Sequence, residues 1–218
     1  SRLVISIISF LILSNPQPVH AAGNTYYVAT TGSDSNPCSQ SLPCKTINKG
    51  ITMPSAGDTL YIRSGSYLEG IDSNTMAIPS GTSFANAITV AGYPGETVIL
   101  NGMGLGGITS PQYLIIDNII FDALSSDGGG IWIGNGAGHI RIQNGQSRNY
   151  LAGTFGVQLG VSGVGFNEKI NMEIHHGGDN SARWHGMYIS SPNNLIKNCR
   201  IHDNSGYGIH IYGGVADN

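Results

Sequence analysis

The sequence predicts an all-β fold, a parallel β-helix in which successive coils of the chain stack on one another. Two observations lead to this prediction. Asn118, Asn144, Asn171 and Asn198 are separated by 26, 27 and 27 residues, and a fixed period of roughly 20–50 residues indicates a repeat architecture. Each repeat also alternates apolar and variable residues, which is the period of a β-strand, and lacks the apolar spacing of a helix. Strands joined by turns alone, with one coil per repeat, form a parallel β-helix.

A second short pattern recurs downstream of each asparagine, a glycine followed by apolar, variable and apolar residues. It begins at Gly130, Gly156, Gly186 and Gly208. Because equivalent residues of successive coils stack at about 4.8 Å, the repeat predicts columns of inward side chains. The four predicted columns are Ile119, Gly145, Met172 and Cys199; Phe121, Ser147, Ile174 and Ile201; Ile131, Val157, Met187 and Ile209; and Ile133, Leu159, Ile189 and Ile211.

Two further expectations concern the packing of the coils. The four repeating asparagines are expected to form an internal ladder at a turn, with each amide bonded to the next. Gly145 and Ser147 fill positions that are bulky in the other coils, so the second coil is expected to be weakly packed.

The composition fits a turn-rich solenoid. Charged residues make up 11% of the chain, against about 25% in an average domain. Glycine accounts for 32 of the 218 residues, and this length allows one sizeable domain. The net charge of −3 gives no reason to expect a nucleic-acid partner, and a monomer is expected.

The N-terminal segment has the pattern of a secretory signal peptide. Arg2 precedes an apolar run from Leu3 to Leu13, and Val19-His20-Ala21 follows two prolines. This pattern predicts cleavage after Ala21, residues 1–21 being the signal peptide, and a mature β-helix domain over residues 22–218. The apolar run is shorter than the roughly 20 residues of a membrane span, so we expect secretion, to the extracellular space, the periplasm or the cell surface. Because Asn218 follows soon after a predicted strand, further coils are expected beyond it.

The elements before the regular coils are predicted in order. A first strand at Tyr26–Val28 is followed by a loop in which Cys38 and Cys44 are expected to pair in an oxidising compartment, two free thiols being the alternative. A short helix over Lys45–Met53, with Ile47 and Ile51 on one face, is expected to cap the open end of the solenoid. Strands within 57–67, 88–95 and 98–102 build the first coils. The third cysteine, Cys199, is interpreted as a core thiol.

These N-terminal residues resemble a known group. Tyr26-Tyr27-Val28, Gly32-Ser33-Asp34, Pro43-Cys44-Lys45-Thr46-Ile47, the run from Ala56 to Tyr67 and Ala91-Gly92-Tyr93-Pro94-Gly95-Glu96 are similar to the N-terminal signature of secreted right-handed parallel β-helix proteins of the pectate-lyase-like superfamily. The resemblance implies the right-handed fold and a polysaccharide partner. The superfamily includes lyases, glycoside hydrolases, epimerases and proteins without catalysis, so activity must be argued from the site.

A lyase that acts on a uronic-acid polymer needs a base and a positive group that neutralises the carboxylate. The segment from Glu173 to His185 is the richest in such residues. Our candidates for catalysis are His175, Arg183, His185 and His202, and our candidates for binding Ca²⁺ through carboxylate oxygens are Asp179 and Asp203. Zinc is disfavoured because adjacent His175 and His176 point to opposite faces of a strand and no cysteine supports them.

Other interpretations of the same residues stay open. Polar residues that follow an inward isoleucine are ordinary solvent-facing positions in such repeats. A glycoside hydrolase needs two carboxylates, and Asp179 with Asp203 is the candidate pair, but the Asp-Asp and Gly-His-Gly motifs of polygalacturonases are absent. An epimerase is a further alternative.

A second candidate surface is the outward column of Trp132, Gln158, Tyr188 and His210. It spans ~14 Å at the interstrand spacing, and aromatic faces pack on sugar rings while polar tips bond hydroxyls. The sequence therefore predicts a secreted polysaccharide lyase that acts by β-elimination. The competing prediction is a non-catalytic surface or adhesion protein that binds glycans.

Overall fold

The chain folds as a parallel β-solenoid in a computed structural model that describes residues 23–124, 130–151, 153–160, 163–179 and 183–213. The predicted signal peptide, residues 1–21, lies outside the described residues. Three parallel sheets run along the solenoid. The chain begins with an additional strand of the first sheet, after which each coil contributes one strand to each sheet in turn. The all-β prediction is confirmed. In the described part of the chain, no helix is both long and apolar enough to cross a membrane.

The first sheet has seven strands and the other two have six each. The first sheet comprises β1 (Thr25–Val28), β2 (Thr59–Ile62), β5 (Ile88–Gly92), β8 (Gln112–Asp117), β11 (Gly138–Gln143), β14 (Glu168–Ile170) and β17 (Leu195–Lys197). The second comprises β3 (Gly65–Tyr67), β6 (Val98–Leu100), β9 (Ile120–Asp122), β12 (Gln146–Arg148), β15 (Glu173–His175) and β18 (Arg200–His202). The third comprises β4 (Ile71–Asp72), β7 (Met103–Leu105), β10 (Ile131–Ile133), β13 (Val157–Leu159), β16 (Met187–Ile189) and β19 (Ile209–Ile211).

The predicted inward columns are confirmed. Ser147 pairs with Phe121 on one side and with Ile174 on the other, and the two columns of the third sheet are likewise in register. The column residues of the first three coils are buried, whereas in the last described coil Cys199 and Ile201 are half-buried and Ile209 and Ile211 are 44% and 54% exposed.

The expected internal asparagine ladder is wrong. Asn118, Asn144, Asn171 and Asn198 are exposed and have positive φ angles of 53–55°. They form the tight corner between the first and second sheets, because asparagine tolerates the left-handed conformation that this turn requires. Asn171 does donate to Asn144 over 3.0 Å, but Asn144 donates to Asp117 rather than to Asn118.

A buried amide pair exists at a different corner, between the third and first sheets. Asn167 and Asn194 are 1% and 9% exposed, and the amide of Asn167 donates to Asn194 Oδ1 over 3.0 Å. Asn167 Oδ1 in turn accepts the backbone N–H of Ile140. These bonds satisfy polar groups that burial would otherwise leave without a partner.

The N-terminal cap is confirmed in a shorter form than predicted. The helix α1 spans Ile47–Ile51, and the side chain of Thr46 caps it by accepting the Lys49 N–H. Asp34 holds the residues before the helix by accepting both the Thr46 hydroxyl and the Lys45 N–H. A 3₁₀ turn at Phe84–Asn86 precedes β5.

The predicted disulfide between Cys38 and Cys44 is present, with a Cα–Cα distance of 4.6 Å. Both cysteines are fully buried. The backbone of Cys44 forms an isolated parallel β-bridge with Val28 of β1. The third cysteine, Cys199, is half-buried and packs against the core.

Tyr150 is a large buried residue of the second coil, in which the predicted inward positions hold the small residues Gly145 and Ser147. Its ring is 1% exposed and lies so close to Gly156 and Gly177 that a Cβ on either glycine would come within 2.9 Å and 2.0 Å of it. The Tyr150 hydroxyl donates to Asn204 Oδ1 over 2.7 Å. Tyr150 therefore fills the space beside Gly156, whose carbonyl accepts the Ser147 hydroxyl, whereas a Cβ at Gly145 would clash with the Ile119 carbonyl.

Candidate functional site

The corner between the second and third sheets differs in length from coil to coil, and we call it the variable corner; the corner between the third and first sheets varies too, from 134–137 to 73–87. The asparagine corner contains two residues in each of the regular coils, for example Asn118 and Ile119 between β8 and β9. The length of the variable corner ranges from two residues, 101–102 between β6 and β7, to the long segment 176–186 between β15 and β16. The unusual 30-residue interval between Gly156 and Gly186 therefore arises at this variable corner.

On the second sheet, an outward row consists of Asp122, Arg148, His175 and His202, which are in register. Arg148 Nε donates to Asp122 Oδ2 over 2.7 Å. The rings of His175 and His202 are stacked, with centroids 5.2 Å apart and planes within 3°. We call these four residues the second-sheet row.

His202 lies between two carboxylates. Its Nδ1 is 2.7 Å from Asp203 Oδ2 and its Nε2 is 3.0 Å from Glu173 Oε1. These hydrogen bonds raise the pKa of His202 and lower the pKa of both Asp203 and Glu173. Burial instead lowers the pKa of the stacked His175. The outer end of this row therefore holds a cationic histidine that is engaged by carboxylates.

On the third sheet, the predicted outward column of Trp132, Gln158, Tyr188 and His210 is in register, one residue per coil. It continues toward the N-terminal end through Gly104. We call Trp132, Gln158, Tyr188 and His210 the third-sheet row. Its side chains are all half-buried, as expected for rings that lie along a sheet face.

Two depressions border Trp132. One, of about 410 Å³, is lined by the Asp72, Asn74 and Asn101 side chains. The other, of about 130 Å³, extends toward Phe155 and Gln158. Gly104 also lines the first depression, and a Cβ at that position would meet only the Asp72 carboxylate, at 3.4 Å. Polar groups thus surround an indole at one end of the row.

At the other end of the row, aromatic rings cluster around Tyr188. Phe155 stacks on Tyr188 at 4.7 Å between centroids, and Tyr212 lies 5.8 Å from the same ring. Tyr207 and Tyr212 are 67% and 57% exposed in the last described coil, where Ile209 and Ile211 are exposed as well. In the preceding coils, Phe155 and Tyr188 are half-buried, and half-buried rings beside polar groups suit contact with a sugar ring.

His185 is a buried member of this aromatic cluster. It is 6% exposed, and its ring stacks between Phe155 and Tyr207, at 5.8 Å and 5.1 Å. Its Nδ1 accepts the backbone N–H of Tyr207, and its Nε2 lies 2.8 Å from His210 Nδ1. Burial lowers the pKa of His185, and the neighbouring His210 adds to that effect.

The structure separates the predicted catalytic residues. His175 and His202 lie on the second-sheet row, whereas His185 lies beneath the third-sheet row. Arg183 is exposed at the variable corner, two residues before His185. Their catalytic roles stay predictions.

The predicted Ca²⁺ ligands share one surface depression. Asp179 and Asp203 line a volume of about 450 Å³ together with His176, Asn204 and Ser205. Asp203 is engaged by His202 at 2.7 Å and lies 3.9 Å from His176. No group of three or more His, Cys, Asp or Glu side chains suited to a metal occurs within the described ranges. Two carboxylates, one already bonded to a cationic histidine, do not by themselves fit the six or more oxygen ligands that Ca²⁺ takes.

A column of rings that directly precedes the last three of the four repeat glycines was not predicted from the sequence. Phe155, His185 and Tyr207 come directly before Gly156, Gly186 and Gly208, and their rings stack in that order. The signal was present in the repeat, since all three positions hold a ring.

Comparisons with known proteins agree with this architecture. The model of the family "Pel9A-like, right handed beta helix region" matches residues 26–218. Pectate lyase PEL9 of Emericella nidulans is 34% identical over 92 residues, which are 42% of this chain and 22% of that protein.

Among solved structures, pectate lyase Pel9A superposes with a TM-score of 0.65 at 19% identity, over 87% of this chain and 50% of that chain. A rhamnogalacturonan lyase matches at a TM-score of 0.46 and 16% identity, over 90% of this chain and 64% of that one. The chain thus spans half the length or less of the two pectate lyases that it matches. With the family model covering nearly all of the described solenoid, the chain belongs to the Pel9A-like right-handed β-helix family.

Proposed function

We propose that this chain is part of a secreted polysaccharide lyase that binds a uronic-acid polymer along the third-sheet row and cleaves it by β-elimination. The observation that carries the proposal is the in-register row of Trp132, Gln158, Tyr188 and His210 in a chain of the Pel9A-like family. The pectate lyase names of two relatives support the choice of a uronic-acid polymer.

The row suits a linear glycan because its residues repeat at the spacing of the coils. Four positions cover ~14 Å, and ring faces supply apolar contact while indole and phenol edges bond hydroxyl groups. The depression beside Trp132, bordered by Asp72 and Asn101, extends the proposed path toward the N-terminal coils.

β-Elimination also requires that the substrate carboxylate be neutralised. We assign this role to Arg183, which is exposed at the variable corner near the aromatic end of the row, because a guanidinium binds a carboxylate through two parallel hydrogen bonds. Ca²⁺ held in part by Asp179 and Asp203 is the other source of positive charge and stays a proposal. The base is left to be identified by substitution of His175, His185 and His202, because His202 already bonds two carboxylates and lies with His175 on the second-sheet row rather than on the proposed glycan path.

Secretion forms part of the proposal. The buried disulfide between Cys38 and Cys44 is typical of proteins that fold in an oxidising compartment, and the N-terminal sequence has the pattern of an export signal.

The test is incubation of the protein with pectate and with other uronic-acid polymers, with and without added Ca²⁺. Formation of the unsaturated product, followed by its ultraviolet absorbance, is the expected result, and Arg183→Ala should reduce it. Binding of a polymer without product from any of them would instead establish a non-catalytic glycan-binding protein, which the aromatic row also supports. Neither binding nor product would overturn the proposed function.

A further inference from the structure

The hydrogen bonds of His185 determine which of its nitrogens carries the proton. A backbone N–H can only donate, and that of Tyr207 donates to His185 Nδ1 over 2.9 Å. Nδ1 is therefore an unprotonated acceptor. A neutral imidazole has one N–H, so that of His185 lies on Nε2.

The same reasoning extends to His210. Nε2 of His185 lies 2.8 Å from Nδ1 of His210. Because the His185 nitrogen carries the hydrogen, it donates, and His210 Nδ1 accepts. A neutral His210 must then carry its own hydrogen on Nε2. That Nε2–H makes no hydrogen bond to any other residue that the structure describes.

The surroundings hold both rings in place. His185 is clamped between Phe155 and Tyr207, which restricts its rotation. His210 meets Tyr188 edge to face, with centroids 5.2 Å apart, and occupies the outward position of β19 in register with Tyr188. Burial, which lowers the pKa of His185, favours the neutral form on which the assignment depends.

This arrangement also determines whether Nε2 of His210 can donate or accept a proton. To accept a proton at Nε2, His210 would have to carry its hydrogen on Nδ1 and donate it to His185. His185 would then need two acceptor nitrogens and no hydrogen at all, which a neutral imidazole does not provide. In this geometry His210 is thus a hydrogen-bond donor and not a base.

We propose that His185 is a positioning residue that fixes His210 as an Nε2–H donor to an acceptor oxygen, hydroxyl or carboxylate, of the glycan on the third-sheet row. The proposal rests on the proposed function, since the ligand is the glycan assigned there.

The experiment is ¹⁵N NMR of the histidine rings in the protein without ligand and then with pectate oligomers. Both His185 and His210 should show a protonated Nε2 and an unprotonated Nδ1. His185→Gln keeps an acceptor oxygen for Tyr207 and an amide donor for His210, so it should preserve the His210 tautomer. His185→Phe keeps the stacking but removes both hydrogen bonds, and should leave His210 as a mixture of tautomers.

Affinity supplies the second readout. Loss of one well-placed hydrogen bond corresponds to roughly a tenfold weaker binding of the oligomers, expected for His185→Phe and for His210→Phe, whereas His185→Gln should stay within about threefold. His139→Phe is the matched control, because His139 also stacks between aromatic residues, Tyr113 and Phe166, at another corner; it should change neither readout.

The possible failures are distinguishable. A His210 that carries its hydrogen on Nδ1 in the free protein, or that keeps a single tautomer in His185→Phe, overturns the inference without involving any glycan. An oligomer that binds while the His210 signals do not move also overturns it. If no uronic-acid oligomer binds although the tautomers are as assigned, the proposed function fails, and the glycan part of this inference fails with it.

Discussion

The second-sheet row and the third-sheet row share one repeat and one strand register, yet they are built in opposite ways. The second-sheet row carries charge that is satisfied within the protein, as in the pair of Arg148 with Asp122 at 2.7 Å and the bonds of His202 to Asp203 and Glu173. From Trp132 to His210, the third-sheet row carries aromatic, amide and imidazole groups and no formal charge if His210 is neutral.

The difference shows how a solenoid can present two faces with different roles. On the second-sheet row, charges pair with one another within the protein and face water, although each exposed pair contributes little to the free energy of folding. Aromatic rings that remain half-buried on an open face still have apolar area to bury against a partner. Histidines occur on both rows, and only their hydrogen-bond partners distinguish them.

The largest expected effect comes from Tyr150, which packs at the corner between the two rows. Tyr150→Ala should lower the free energy of unfolding by about 3–5 kcal/mol, because it leaves a cavity next to Gly156 and Gly177. Tyr150→Phe keeps the ring and loses only the hydroxyl, which donates to Asn204 Oδ1 and to the His185 carbonyl, so about 1 kcal/mol is expected. Urea denaturation measures both. Equal losses for the two variants would show that the ring does not fill the coil.

The next effect concerns the core beneath both rows. Lys169 takes an inward position of the first sheet between Ile142 and Ile196. It is fully buried, its Nζ has no hydrogen-bond partner in the described structure, and burial lowers its pKa to about 7. Lys169→Met should therefore stabilise the protein by about 1–4 kcal/mol near neutral pH.

The pH dependence of that gain has a definite sign. Unfolded Lys169 binds a proton up to its ordinary pKa of 10.5, whereas folded Lys169 releases it near 7. The unfolded state thus holds more protons between these values, so the wild-type protein gains stability as pH rises from 7 toward 10.5. The advantage of Lys169→Met should shrink over that window in denaturation curves. An advantage that is constant with pH would mean that Lys169 stays charged in the fold.

A smaller effect separates the two rows directly. Trp132→Ala should weaken the binding of pectate oligomers by about 1–2 kcal/mol, or roughly 5–30-fold in Kd. Arg148→Gln, on the second-sheet row, should leave Kd unchanged. Isothermal titration of both variants makes the comparison, and a stronger effect of Arg148→Gln would move the binding surface to the other sheet.

The smallest expected effect on stability concerns the opposite pKa shifts of two histidines on the second-sheet row. His202 should titrate above the ordinary histidine pKa of 6.5 and His175 below it. Stability due to the raised pKa of His202 is present below 6.5 and is lost as pH rises through the folded value. The part due to the lowered pKa of Glu173 is present above 4.5 and is lost as pH falls. NMR titration should show the two histidines shifted in opposite directions, and Glu173→Gln should bring His202 closer to 6.5. Identical titration of both rings would contradict the assigned partners.

The sequence was sufficient for the inward columns and for the third-sheet row, because side-chain alternation and a fixed period determine both register and facing. It misplaced the asparagines because spacing alone cannot distinguish an internal ladder from an exposed left-handed corner. It grouped His175, His185 and His202 because they are close in the chain, although His185 lies in the variable corner just before β16 of the third sheet, and the other two lie on the second sheet. The role of Tyr150 depended on volume shared between coils, which no single repeat reveals.

The two-residue asparagine corner has a consequence for how such a protein can diversify. An added residue there would reverse the facing of the next strand and turn its core residues to water, whereas residues added at the variable corner leave the stacked strands in phase. New loops can therefore be acquired, lost or grafted along one edge while the pitch of the solenoid stays constant. That edge lies beside the third-sheet row, so changes of specificity can accumulate next to the ligand at little risk to folding.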